Sequence, residues 1–269
     1  MIQGSTGLVA ILGTPIAQVQ SPANFNRWFQ AQGLDLAMLP VDLRADALPG
    51  FIASLRGWNN LRGCVITVPY KQAVVPLLDE LSTRARLLRS VNVIRRESDG
   101  RLIGDNVDGE GFIKAAAAHG FEASGKHALV LGAGGAGAAI AYSLAEAGIA
   151  TLDLADPTPG RAEALATTLQ TAFPALVIRD QVAALGGYDL LVNASPIGMG
   201  EAAETPLPPA QLAELSPHAH VADVVTKPAH TPLLALAQAR GCSVQAGPEM
   251  SLAQMPALGF FMGVMPESL

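Results

Sequence analysis

The run Ala128-Leu-Val-Leu-Gly-Ala-Gly-Gly-Ala-Gly137 constrains this chain more than any other stretch. His127 to Leu131 reads as a buried strand, Gly132 to Gly137 as a glycine loop and Ala138 to Ala147 as a helix. Gly132, Gly134 and Gly137 stand in GxGxxG spacing. The first glycine permits a tight turn, the second lets backbone N–H groups approach a pyrophosphate, and the third lets the helix lie close to the strand. An anion then rests at the positive end of the helix. Ala133, Gly135 and Ala136 complete the cofactor-binding cradle. The competing reading is a Gly/Ala packing turn with no ligand. Asp156, 24 residues after Gly132 at the end of the next strand, weighs against it. A carboxylate there accepts hydrogen bonds from ribose hydroxyls and repels a 2′-phosphate, so the predicted dinucleotide is NAD rather than NADP. A turn or N-cap role for Asp156 is the alternative, and Arg161 is expected to begin the following helix.

The rest of the chain alternates in the same way. Before the glycine loop, strands are predicted over 8–12, 37–43 and 63–68, with helices over 47–55 and 76–86. Ser21 and Pro22 read as the N-cap and first position of a helix stopped by Gly33. Residues 91–95 and 101–104 flank the turn Ser98-Asp99-Gly100 and read as a hairpin. A helix from about Asp108 to His119 leads into the second block. There, strands over 151–155, 176–179, 190–193 and 221–224 and helices over 161–172 and 232–240 continue the βα repeat, and 251–265 reads as one terminal helix. Such alternation implies an α/β fold with largely parallel sheets covered on both faces. Two domains are expected: a substrate-binding domain of residues 1–108, completed by 246–269, and a Rossmann domain of residues 109–245.

Composition narrows the function classes. Of 269 residues, half are hydrophobic and 15% charged, enough apolar material for a packed core. The net charge of -6 without a basic run argues against nucleic acid. Cys64 and Cys242 form no metal or disulfide pattern, and the five histidines show no ligand spacing, so no metal is expected. His218 and His220 read as surface residues, and Glu249 as a solvated loop charge. The chain shows no signal peptide or membrane span, which gives the expectation of a cytoplasmic protein with no membrane partner.

Several motifs now stand in order: Gly13-Thr-Pro-Ile, Ser21-Pro22, Ile66-Thr-Val-Pro-Tyr-Lys71, Ser90-Val-Asn92, Gly104-Asp-Asn-Val-Asp-Gly109, the glycine loop, Val192-Asn-Ala-Ser195 and Leu252-Ala-Gln254. In order and spacing, over nearly the whole chain, this resembles the shikimate dehydrogenase family. The resemblance implies reversible hydride transfer between a nicotinamide dinucleotide and shikimate/3-dehydroshikimate, a step of the shikimate pathway in aromatic amino acid biosynthesis. Quinate and aminoshikimate are related substrates. The partner is thus a polyhydroxylated cyclohexene carboxylate, met in the cleft between two domains of a monomer or homodimer. It also implies Lys71 and Asp108 as the catalytic pair, Thr67, Asn92 and Gln254 on ring hydroxyls, Ser21 on the carboxylate, and Asn193, Ala194, Ser195 and Met250 at the cofactor.

The chemistry independently favours that pairing. Oxidising a secondary alcohol requires loss of the hydroxyl proton, and a lysine amine beside a carboxylate is a fitting acceptor. The plainer alternatives are a solvated lysine after a strand and a helix-capping aspartate. The chain departs from the family pattern at Val19, where a serine is usual, at Val65 for asparagine and at Val107 for threonine. It departs again at Asp156-Pro157-Thr158 for Asn-Arg-Thr, at Thr226 in a segment that often holds a tyrosine, and at Gly247-Pro-Glu-Met250. Each lost polar contact costs about 1–3 kcal/mol where nothing replaces it. These departures point to a divergent, NAD-using subclass. The alternatives are a methylene-tetrahydrofolate dehydrogenase-like enzyme, disfavoured by the GDNxDG motif, and a non-catalytic nucleotide-binding regulator, disfavoured by the retained Lys71, Asn92, Asp108 and Gln254.

Overall fold

A computed structural model describes residues 2–200 and 204–266; the last three residues of the stretch 246–269 lie outside them. The chain divides into two compact units, Met1–Val107 with Gln254–Leu269, and Asp108–Ala253.

The first unit runs β1 (Gly7–Gly13), α1 (Ser21–Ala31), β2 (Leu36–Asp42), α2 (Leu48–Leu55), β3 (Leu61–Ile66), β4 (Glu80–Leu81), α3 (Thr83–Leu88), β5 (Val93–Arg96) and β6 (Leu102–Asp105). Its sheet has the order β2-β1-β3-β5-β6-β4. The first three strands are parallel, β5 is antiparallel to both neighbours, and β4 is parallel to β6. The sheet is therefore mixed rather than largely parallel, because the 93–105 hairpin is built into it.

Both faces are buried, which explains why its central strand β1 reads as an unbroken apolar run. Successive side chains alternate across a strand. Val9, Ile11, Val65 and Val93 accordingly face one cluster, with Phe25 and Phe29 of α1 and the C-terminal helix residues Leu258 and Met262. Ala10, Leu12, Cys64, Ile66 and Ile94 face the other, with Ile52 and Leu55 of α2. Phe25 and Phe29, one helical turn apart, pack edge to face at 5.8 Å.

Three predicted details differ. Gln20 already has helical backbone angles, so Ser21 is the first residue of α1, not its cap. The predicted 76–86 helix is instead a tight turn at Val75–Leu77, strand β4, and then α3. The Asp79 carboxylate accepts the Leu102 N–H at 2.7 Å, which draws the segment alongside β6, and Ser82 Oγ then caps α3 through the Ala85 N–H at 3.1 Å. The terminal stretch is two helices, not one. The second begins beside Pro256, whose ring nitrogen has no hydrogen to bond to the preceding turn.

The second unit runs α4 (Asp108–Ala118), β7 (His127–Leu131), α5 (Gly135–Glu146), β8 (Thr151–Ala155), α6 (Arg161–Ala172), β9 (Val177–Arg179), β10 (Leu190–Asn193), α7 (Pro209–Leu212), β11 (His220–Asp223), α8 (Pro232–Ala239), β12 (Ser243–Gln245) and α9 (Gly247–Ala253); α10 (Met255–Phe261) belongs to the first unit. All six strands are parallel, in the order β12-β11-β10-β7-β8-β9. That is the doubly wound order of dinucleotide-binding sheets, with its switch point between β7 and β10. Among the described residues no helix is long and apolar enough to cross a membrane.

The two-faced first sheet has a testable consequence. Ile11 and Ile52 are buried on opposite faces. Ile11→Val and Ile52→Val are each expected to cost about 0.5–1.5 kcal/mol. Urea unfolding followed by tryptophan fluorescence should find the double variant additive within about 0.5 kcal/mol. A larger coupling would contradict two separate packing layers.

Candidate functional site

Lys71 ends the turn that leaves β3. The Thr67 N–H donates to the Leu12 carbonyl at 2.9 Å, and the Tyr70 N–H closes back on the Thr67 carbonyl at 3.0 Å. Tyr70 is buried and its hydroxyl donates to the Leu43 carbonyl, which pins the turn to the end of β2. Lys71 itself is half-buried, and its carbonyl accepts the Val91 N–H at 2.8 Å.

The next residue, Asn92, joins the end of β3 to the Gly104-Asp-Asn-Val-Asp-Gly109 segment. It is 1% exposed. Its carbonyl accepts the Ile66 N–H at 2.7 Å, and its N–H donates to the Asp105 carbonyl at 2.9 Å. Its side-chain oxygen accepts the Val107 N–H at 2.9 Å, immediately before Asp108. Asp108 is buried and opens α4.

Asp105, which the sequence reading passed over, anchors the same segment. Its carboxylate takes Arg84 Nε at 2.8 Å and Arg84 Nη2 at 2.6 Å, the Ser82 hydroxyl, and the Asn106 N–H at 2.7 Å. Burial pushes this carboxyl up. Hydrogen bonds from Arg84 and Ser82, with the Arg84 charge, outweigh burial and hold it below its ordinary value. A second acid three residues before Asp108, with arginines upstream, was the available signal.

Ser21, Thr67 and Gln254 are half-buried residues of the first unit. Val19, where the serine is missing, packs its side chain against the core cluster of α1 and β1 instead of offering a donor. Val107 is likewise buried in that cluster.

In the second unit the glycine loop lies at the sheet's switch point. Gly132 has φ +101°, and a Cβ there would meet the Ala194 carbonyl at 2.9 Å. A Cβ on Gly137 would run into the Gly132 carbonyl. Both are close approaches that only glycine permits. Gly134 is the N-cap of α5, which runs from Gly135 through Ala136. Asp156 Oδ2 accepts the Ala133 N–H at 2.8 Å, its Oδ1 accepts the Thr158 N–H at 2.8 Å, and Arg161 lies 3.6 Å away. Burial raises this carboxyl, but the two backbone donors and Arg161 hold it below its ordinary value. Asp156 is thus an ionised turn residue that also ties down the glycine loop.

Asn193 ends β10, and Ala194 and Ser195 follow it. The Ala194 N–H donates to the Leu131 carbonyl at 2.7 Å. The Asn193 side-chain oxygen accepts the Ser195 N–H at 3.1 Å and the Ser195 hydroxyl at 2.6 Å. Asn193 Nδ2 donates to the Ile197 carbonyl at 3.0 Å and to Asp223 Oδ1 at 3.1 Å. Burial raises the Asp223 carboxyl in spite of its hydrogen bonds from Thr231, Val225 and Asn193. Met250 is buried on α9.

His220, read as a surface residue, is buried, and Glu249, read as a solvated loop charge, is exposed but lies on α9. His220 is 2% exposed, with its ring nitrogens on Ser243 Oγ at 3.1 Å and Gln245 Oε1 at 3.0 Å. Burial lowers its pKa. Glu249 accepts the Ala246 N–H at 2.6 Å and pairs with His119 at 2.8 Å. Its carboxylate links the start of α9 to the end of α4.

Residues 11–94 match the model of the shikimate dehydrogenase substrate binding domain. A shikimate dehydrogenase (NADP(+)) of Geobacter metallireducens is 39% identical, the match covering 98% of this chain and 94% of that one. The chain belongs to the shikimate dehydrogenase family. A shikimate dehydrogenase (NADP(+)) of Moorella thermoacetica is 40% identical over 94% of this chain and 86% of its own. The crystal structure of shikimate 5-dehydrogenase from Listeria monocytogenes, in complex with shikimate and NAD, superposes with a TM-score of 0.89. It shares 29% identity and covers 99% of this chain and 95% of that one. These likenesses accord with the two-unit α/β fold and with a nicotinamide dinucleotide as the family's cofactor.

The Asp105–Arg84 anchor is open to a pH test. Because the folded carboxyl lies low, its contribution to stability is complete above the unfolded value of about 3.8 and is lost as pH falls through the folded value. Wild type is expected to exceed Asp105→Asn by about 1–3 kcal/mol at neutral pH. Urea titrations at stepped pH should show the gap closing only in the acid range. A gap independent of pH would contradict the anchor.

Proposed function

We propose that this chain catalyses reversible hydride transfer between a nicotinamide dinucleotide and the secondary hydroxyl of shikimate, or of a close relative such as quinate or aminoshikimate, with NAD(H) preferred. The first unit acts as the substrate-binding domain and the second as the cofactor domain. The observation that carries this reading is the Asn92 junction. Two adjacent buried residues bridge the two motifs: the Val91 N–H holds the Lys71 carbonyl, and Asn92 holds the end of β3 and the backbone just before Asp108.

The dinucleotide, when bound, supplies the acceptor for the hydride and its electron pair. Lys71 takes the hydroxyl proton as the carbonyl forms, and returns it in the reverse direction. Asp108 accepts a hydrogen bond from the substrate hydroxyl and orients the lysine. Thr67, Asn92 and Gln254 hold the ring hydroxyls, and Ser21 holds the carboxylate. Gly132 to Ala136 cradle the pyrophosphate, with Asn193, Ala194, Ser195 and Met250 toward the nicotinamide.

Asp156 supports NAD. Its carboxylate lies directly after β8, where a 2′-phosphate would meet a like charge. A second reading, NADP, is favoured by the half-exposed Arg161 at 3.6 Å from Asp156, and by the named specificity of the Geobacter and Moorella relatives.

Initial rates at the reduced-nicotinamide absorbance band decide between them, with shikimate, quinate and aminoshikimate each against NAD and NADP. The expected result is turnover of shikimate or one of its relatives with kcat/KM at least about tenfold higher for NAD, roughly the size of one unpaired charge contact. Faster turnover with NADP would reverse the cofactor assignment. Absence of turnover in all six pairings would overturn the substrate class.

A further inference from the structure

We propose that Asp223 is a positioning residue whose carboxylate sets the two dinucleotide-facing loops, after β10 and after β11, in register with each other. This rests on the reading above that this end of the second sheet takes a nicotinamide dinucleotide.

Asp223 is the last residue of β11 and is 2% exposed. Its Oδ1 accepts Asn193 Nδ2 at 3.1 Å and the Val225 N–H at 3.0 Å. Its Oδ2 accepts the Thr231 hydroxyl at 2.7 Å. All three donors are neutral. An ionised group held by neutral donors is costly to bury, and a neutral side chain would be cheaper. What a carboxylate offers here is an acceptor at both oxygens of one planar group; an asparagine would turn N–H donors toward one side.

Each donor governs a different stretch of chain. Asn193 holds Ser195 and the Ile197 carbonyl, so residues 193–197 hang from its carboxamide. Thr231 is 1% exposed and is the N-cap of α8, its oxygen accepting the Leu234 N–H at 3.4 Å while its hydrogen goes to Asp223. Val225 lies in the loop between. One carboxylate thus joins both loops at the carboxyl ends of adjacent parallel strands, where ligands of doubly wound sheets lie.

The loops in turn touch the cofactor machinery. Ala194 is the residue whose carbonyl closes on Gly132. A Cβ at Gly247, the first residue of the helix bearing Met250, would run into the carbonyls of Val224 and Val225. A shift at Asp223 therefore reaches the glycine loop from one side and α9 from the other, although Asp223 itself is too buried to touch a ligand.

The test is a fluorescence titration of the purified full-length protein with NADH and with NADPH, alongside steady-state kinetics and thermal melting. Asp223→Ala is expected to raise the Kd of the preferred dinucleotide at least tenfold. Asp223→Asn, which keeps the acceptor for Asn193 and Val225, should fall between it and wild type. Thr231→Val is expected to raise Kd about threefold, with Thr231→Ser restoring it. The loss should sit in dinucleotide Kd and KM, with kcat at saturation changed less than threefold. Variants that melt earlier but bind the dinucleotide as wild type does would overturn the proposal and leave Asp223 a purely structural residue. If Asp223→Ala does not fold, Asp223→Asn and the Thr231 pair decide it in the same way. Wild-type protein that binds neither dinucleotide would instead overturn the cofactor reading itself.

Discussion

Asn92 commits its carbonyl, its N–H and its side-chain oxygen to other parts of the first unit. Its carbonyl takes Ile66, its N–H goes to Asp105, and its side-chain oxygen takes Val107. Burial at 1% exposure makes each of these bonds obligatory, because no water is at hand to replace a lost partner. The end of β3 and the backbone just before Asp108 are therefore both fixed to Asn92, and the neighbouring Val91 N–H holds the Lys71 carbonyl. Asp105 and Arg84 reinforce the segment from the far side. Replacing Asn92 by an apolar residue of similar size would leave the Val107 N–H buried and unmet, just where the chain enters α4.

The second unit repeats the strategy with different groups. Its loops at the carboxyl ends of the strands are tied by carboxyl and carboxamide side chains that reach backbone: Asp156 to the glycine loop, Asn193 to the 195–197 turn, Asp223 to the start of the next loop. Asn193 and Asp223 each end a strand and fix the loop that follows it, whereas Asp156, just past β8, fixes the loop after the neighbouring β7. Loops held this way present their backbone N–H groups in a set geometry, which is what an anionic ligand requires.

Much of this was legible in the sequence, for definite reasons. Strands buried on both faces read as mostly apolar runs, so β1, β7 and β10 stand out, and α6 begins where Gly160-Arg161 marks it. The Asn-Arg-Thr replacement at Asp156 was visible too. What the pattern could not carry were contacts between distant residues. The split of 76–86 depends on Asp79 reaching Leu102, and the burial of His220 depends on Ser243 and Gln245. Glu249 reads as a loop charge until its partner His119, far away in the chain, is beside it. Asp105 and Asp223 escaped notice because a motif marks identity and spacing, whereas their roles lie in which donors surround them.

The proton role proposed for Lys71 is tested most directly by Lys71→Ala, assayed for kcat with the substrate and dinucleotide that wild type prefers, with dinucleotide Kd measured on the same preparation. Removing a positioned acid–base group is expected to lower kcat by about 10²–10⁴-fold, with Kd within twofold of wild type. A variant that binds the dinucleotide normally and turns over at a rate within a few-fold of wild type would contradict the assignment of Lys71 to the reaction centre.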